Sequence, residues 1–327
     1  MSILINGTKF FNPFVGFSGP AINFWRQTLL PRVRRACGGV LLPAWLALGG
    51  LLAAAGGAAA QPLLAGNSSS RGLYSDFKAQ GDIRRFNGEK LVFDISFLFF
   101  DNAATADVRF FEKNGRFYSV LRAETKGFVG FFTSYRKHFY RASFDVIDGG
   151  RRVRTRNFER EVIIGDNVER TQHYLDYNSR KHWWFKYKND DLIEQEQEPI
   201  EEGKFMDDIL AAFYNFRNGV YGPIQEGRDY KIDTIPDQGM KAMSVHVFDE
   251  AEEQEYRRKN GRPGGEELLL KVVIPKEVFK TQTGELIFWS SRNYIPLETK
   301  VLNYILLGDL HVKFRERQVR PRSAFLK

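Results

Sequence analysis

Leu91-Val92-Phe93-Asp94-Ile95-Ser96-Phe97-Leu98-Phe99 carries a bulky apolar residue at every odd position. A period of two sends those side chains to one face of a β-strand and the even positions to the other. The rhythm continues downstream. Residues 107–112 and 116–123 flank Asn114-Gly115, a strong hairpin signal because a two-residue type I′ turn needs positive φ at both positions. Phe117, Ser119 and Leu121 alternate with Tyr118, Val120 and Arg122, and apolar residues on both faces leave the inward one open. Further hairpins are predicted for 140–147 with 152–158, 173–177 with 180–187, 230–235 with 241–248, 268–274 with 286–290, and 297–305 with 310–314. Gly308-Asp309 is read as the last turn. Short strands at this spacing predict an all-β fold, a mainly antiparallel sheet that is barrel- or half-barrel-like.

One segment breaks the period. Met206, Ile209, Leu210, Phe213 and Phe216 fall at i, i+3, i+4, i+7 and i+10, the stripe of a helix. Asp207 and Asp208 stand in its predicted first turn and Arg217 in its last, as the helix dipole favours. The sequence therefore predicts one α-helix, packed on the sheet or plugging an opening. A polar helical stretch is predicted over 250–259 and a loop over 261–265.

The first sixty residues are of another kind. They contain no Asp or Glu, and their basic residues are Lys9, Arg26, Arg32, Arg34 and Arg35, which supply most of the chain's formal +8. An apolar run from 40 to 60 ends in Ala58-Ala59-Ala60. Basic flank, apolar stretch and small-residue site form the order of a cleavable secretory signal. The alternative is an inner-membrane anchor over 36–60, since about 20 apolar residues span a bilayer. The many residues ahead of Arg32 point to a true translation start near Leu29 or Val33. The organisation expected is thus 1–60 signal or membrane segment, 61–73 linker, 74–316 a single β-rich domain, and 317–327 a frayed basic tail. Without its leader the chain is near neutral, which argues against nucleic acid as a partner. Cys37 is the only cysteine and precedes the Ala site, so the processed chain has no disulfide or thiolate chemistry.

Three motifs occur together: Gly88-Glu89-Lys90-Leu91-Val92-Phe93, then Met206-Asp207-Asp208-Ile209-Leu210-Ala211-Ala212-Phe213-Tyr214-Asn215-Phe216-Arg217, then Gly284-Glu285-Leu286-Ile287-Phe288-Trp289-Ser290-Ser291-Arg292-Asn293-Tyr294-Ile295-Pro296-Leu297-Glu298, closed by Gly308-Asp309-Leu310. In these the chain resembles a bacterial exported-protein family catalogued as domain of unknown function 3108, over roughly residues 88–316. The resemblance implies an envelope location in Gram-negative bacteria and a mostly β fold. It brings no catalytic residue and no activity, and 250–262 reads as an insertion relative to the family pattern.

The chemistry is sparse. His173 and His182 are predicted to be diagonal neighbours across a hairpin, about 7–8 Å apart at Cα. A metal site needs three or four ligands, so surface histidines are the expectation and no metal or other cofactor is invoked. No G-x-S-x-G, H-E-x-x-H or P-loop is present. Catalytic residues are therefore expected to be absent, although paired carboxylates distant in sequence keep a cell-wall or lipid hydrolase as one alternative. Aromatic residues make up 14% of the chain. Beyond core packing, they point to an apolar cavity or membrane-facing patch. Gly127-Phe128-Val129-Gly130-Phe131-Phe132 reads equally as a bilayer-dipping loop or a bent strand. Arg152, Arg154 and Arg156 share one face, a solvated row or a contact for anionic lipid headgroups. The expectation is an exported periplasmic β domain that binds lipid or another amphiphile without catalysis. The ligand-binding set is Phe97, Phe99, Trp183, Trp184, Asp207, Tyr214, Arg217, Trp289 and Arg292. The main alternative is an assembly partner for another envelope protein.

Overall fold

The computed structural model describes residues 78–319, except 98–99, 238–239, 280 and 305–307, together with a small N-terminal strand pair. That pair, Leu4–Ile5 with Thr8–Lys9, belongs to a first unit that ends at Leu64. The signal, anchor, linker and start-site expectations lie outside the described residues. No helix among the described residues is long and apolar enough to cross a membrane.

The second unit is one antiparallel sheet of fourteen strands. In chain order they are β1 (Glu89–Phe97), β2 (Phe100–Lys113), β3 (Arg116–Thr125), β4 (Lys137–Ile147), β5 (Arg152–Ile164), β6 (Asn167–Asp176) and β7 (Lys181–Lys188). Then come β8 (Asp191–Pro199), β9 (Asp229–Asp237), β10 (Met240–Val247), β11 (Leu268–Val273), β12 (Glu285–Ser290), β13 (Pro296–Tyr304) and β14 (Gly308–Val319). Every strand pairs with its sequence neighbour except β8 with β9, and β14 pairs with β1. The two edges are therefore β8 and β9. The segment between them first continues the β7–β8 ladder, Ile200 N donating to the Arg180 carbonyl (2.9 Å), and then pairs with β9, Asp207 N donating to the Asp233 carbonyl (3.0 Å). This is the mainly antiparallel, barrel-like architecture that the alternation implied.

The hairpins follow the local rules. Asn114 and Gly115 take φ of 52° and 73° and join Lys113 to Arg116 in a two-residue turn. The register Leu175↔His182 and His173↔Trp184 is the one read from Asn178-Ser179. Other expectations are corrected. Gly308-Asp309 begins β14 instead of turning, and β14 runs through Val319, so Arg317 is a strand residue rather than the start of a frayed tail. β8 is a full strand where no strand was expected, because its sequence Asp-Leu-Ile-Glu-Gln-Glu-Gln-Glu-Pro is exposed along nearly its whole length. Residues 127–132 form a short helix, α1 (Gly127–Phe132), rather than a bent strand.

The helix α2 (Ile209–Arg217) lies inside the sheet. Leu210, Ala211 and Tyr214 pack against rings of β2 to β5, while Ala212 packs against β9 to β12. Opposite faces of one helix thus meet opposite halves of the sheet. Asp208 caps it, its Oδ1 accepting from Leu210 N (2.7 Å) and Ala211 N (3.2 Å). A polar helix, α3 (Glu250–Lys259), begins with a capping box of Asp249 and Glu252 and covers the outer face of β12. The single turn α4 (Lys276–Phe279) supplies the Val278 carbonyl to the Tyr140 hydroxyl.

Candidate functional site

Inward side chains change size along the strands. In β2 they run Phe110, Val108, Ala106, Ala104, and in β3 Phe117, Ser119, Leu121, Ala123, all at alternate positions. The ring end is full: Phe110 lies 5.7 Å from Phe117, 6.1 Å from Phe144 and 4.7 Å from Tyr214 between centroids. The alanine end is hollow. It encloses a cavity of about 330 Å³, within the roughly 300–1,000 Å³ range of small-ligand pockets. Phe93, Ile95 and Phe97 of β1 line one side, Met243, Leu270 and Leu286 another, and Ile209, Phe213 and Phe216 of α2 the floor.

One rim of this cavity is polar. Thr125, Thr133, Arg136 and Tyr304 all line it. Thr133 Oγ1 and Thr125 Oγ1 are 3.0 Å apart, and Arg136 Nη1 donates to the Tyr304 hydroxyl at 3.0 Å. α1 holds this rim in place through Lys126 N to the Ala103 carbonyl (2.7 Å) and Val129 packed beside Phe97 and Ala103.

The ligand-binding set from the sequence divides. Phe97 and Arg217 line the cavity; the others described do not, and Phe99 lies outside the described residues. No tryptophan among the described residues lines it. Trp183 donates to Gln197 Oε1 (2.9 Å), and Trp184 stacks on His173 at 6.4 Å. Trp289 faces outward beneath Arg257 and Arg262, at 4.3 and 4.1 Å from its ring centroid. Arg292 is an exposed turn residue whose closest carboxylate contact is Glu266 at 3.6 Å.

Asp207, Tyr214 and Arg217 do not form a cluster at the cavity mouth either. Asp207 is fully buried, and its Oδ2 accepts from Arg152 (2.8 Å), Asn215 (3.1 Å) and the Tyr221 hydroxyl. Burial raises its pKa, against the pull of Arg152. Burial also pushes Asp208 up to about 7, even though Thr155 Oγ1 donates to it at 2.6 Å. Tyr214 sits among rings. Arg217, 1% exposed, donates to both oxygens of Glu89 at 2.7 and 3.2 Å, and Arg317 Nε adds a third contact at 2.9 Å. These groups fasten the helix to the sheet. The arginine row is likewise engaged internally: Arg152 with Asp207, and Arg154 and Arg156 with Asp145.

His182 is fully buried and His173 half-buried beside it, so neither is the exposed surface histidine expected. Their rings stack at 5.2 Å with His173 Nδ1 3.0 Å from His182 Nε2, so one nitrogen donates and the other accepts while both rings are neutral. Among the described residues no group of three potential metal ligands forms. Burial lowers His182 to about 4 from 6.5 and holds His173 well below its ordinary value. The unfolded chain takes up protons near pH 6.5 that the folded pair refuses until far lower, so the pair's contribution to stability is complete above 6.5 and falls as pH drops towards 4, while Asp208, held up to about 7, contributes in the opposite direction over the same window. Because wild type and the double variant His173→Leu/His182→Leu share the Asp208 contribution, the difference between their urea-unfolding free energies is expected to change by roughly 1–3 kcal/mol across that window, in the variant's favour as pH falls. An unchanged slope in the variant would refute the pair as its source.

Glu89, Arg136 and the alanines were not singled out from the sequence. The available signal was Ala104, Ala106 and Ala123 at inward positions of strands otherwise lined by Phe, Val and Leu. No protein-family model and no curated protein matches the chain. Among solved structures it is similar to a β-barrel-like protein of a domain of unknown function, DUF1849, from Brucella abortus. That likeness has 10% identity and a TM-score of 0.41, and covers 71% of this chain and 98% of the other.

Proposed function

We propose that the chain is a non-catalytic periplasmic or cell-envelope protein that holds an apolar or amphipathic ligand, such as a lipid, inside its barrel-like sheet. The observation that carries this reading is the cavity of about 330 Å³ with its almost wholly apolar wall. Each methylene moved there from water contributes about 0.8 kcal/mol, so a chain of several methylenes is retained without a specific polar contact. The basic, apolar, Ala-ended leader supports an exported setting, as does the resemblance to the exported family. Mass spectrometry of lipids extracted from the purified protein is expected to find a stoichiometric bound species. A protein that emerges empty and also ignores liposomes would count against the reading.

A second reading, an envelope assembly partner, draws on the edge strand β8. Its free edge carries Leu192 and Ile193, 49% and 57% exposed, and such an edge accepts a strand from another chain. Pull-down from delipidated membranes separates the two, because a protein partner survives the extraction.

A further inference from the structure

The cavity wall is apolar, yet charged side chains reach it. Of the described lining residues, Glu124 is the one carboxylate, and Arg136 and Arg217 are the two arginines. Two of the three charges are answered within the protein. Arg217 is held by both oxygens of Glu89, and Glu124 pairs with Lys137 Nζ at 3.1 Å. Arg136 differs. Among the described residues it forms no ion pair; its Nη1 donates to the neutral Tyr304 hydroxyl at 3.0 Å, and its Nε is buried with no partner. A cation beside apolar surface is costly unless an anion meets it. A guanidinium presents a planar fork of donors that fits carboxylate or phosphate oxygens. Thr125, Thr133 and Tyr304 add hydroxyls on the same rim, next to exposed Ser134 and Tyr135. The rim therefore reaches solvent, while the alanine-lined space behind it does not need polar partners.

Resting on the reading of the cavity as a ligand site, we infer that its occupant is a single-chain amphiphile with an anionic head. The acyl chain fills the space beside Ala104, Ala106 and Ala123, and the head lies on Arg136. The geometry orders the ligand: chain towards α2, head towards the rim that α1 supports. Hydrogen bonds to charged groups contribute about 1.5–3 kcal/mol, so the head should raise affinity about tenfold to a hundredfold over a neutral head on the same chain.

The test compares palmitate, hexadecyl phosphate and uncharged hexadecanol by displacement of a fluorescent fatty acid, at mildly alkaline pH where the carboxylate is ionised. The wild-type chain is expected to prefer one or both anions by about tenfold or more, and the better of the two identifies the head. Arg136→Gln is expected to bring all three to similar affinity by weakening the anions alone, and Arg136→Lys to keep part of the preference. Arg292→Gln, an arginine away from the cavity, should leave the preference as it is. Equal wild-type affinity for all three, or a preference that survives Arg136→Gln, would overturn the inference while leaving an apolar ligand site standing. Failure of all three to bind would remove the site itself.

Discussion

Glu89→Ala is expected to lower the free energy of unfolding by about 3–5 kcal/mol, the range found when one partner of a buried ion pair is removed. Glu89 and Arg217 are each 1% exposed, so water cannot replace the lost carboxylate. Arg217 would remain between the rings of Phe86 and Phe213, 4.6 and 5.1 Å from their centroids, without its main counter-charge. The pair joins the C-terminal end of α2 to the first residue of β1, so its loss loosens the helix and the β1–β14 joint together. Urea denaturation measures this directly. The double variant Glu89→Leu/Arg217→Met should recover much of the loss, because a well-packed apolar pair replaces a buried ion pair at little net penalty. A loss below about 1 kcal/mol in Glu89→Ala would mean that the pair behaves as a surface contact.

Ala106→Phe is expected to empty the protein of ligand. Ala106 sits between Phe93 of β1 and Ala123 of β3 in the sheet register, with its methyl on the cavity wall. A ring there occupies the space where the chain would lie. Filling a hollow of this kind usually stabilises by about 0.5–2 kcal/mol, whereas overpacking costs about 1–3 kcal/mol. Ligand loss should therefore come without unfolding. The readout is the lipid-to-protein ratio after purification, expected to fall at least about tenfold, set against an unfolding midpoint that is unchanged or higher. Full retention of ligand in a folded Ala106→Phe protein would place the ligand elsewhere.

Most of the fold was legible because strand alternation is a local property. Leu91, Phe93, Ile95 and Phe97 announce one buried face whatever surrounds them, and Asn114-Gly115 announces its own turn. β8 was illegible for the opposite reason. It is an edge strand with little buried surface, so Glu194, Glu196 and Glu198 look like loop residues. α2 was legible as an amphipathic helix but not as one buried on all sides, since Asp207, Asp208, Asn215 and Arg217 are polar residues whose partners lie on distant strands. The cavity is lined by residues from ten strands, with space left where the alanines of β2 and β3 face larger side chains from the others, a relation no single segment contains. Trp183, Trp184 and Trp289 attracted attention by size. They flank the sheet elsewhere, and the hollow is made by alanines. Arg136 stood out only once Arg217 and Glu124 were seen to be answered.

The pairing of Glu89 with Val319 has a consequence for biogenesis. The sheet's earliest strand waits, with one side bare, for the last strand to be synthesised. Ribosome-bound or truncated chains that stop short of Gly308 carry β1 as a raw edge in mid-sheet, where unpaired backbone invites aggregation. Zipping β14 into place joins contacts more than two hundred residues apart, a high-contact-order step that sets a slow pace for folding. Only a chain synthesised through Val319 can complete this pairing, and this makes the twelve residues of β14 a checkpoint on the integrity of the sheet.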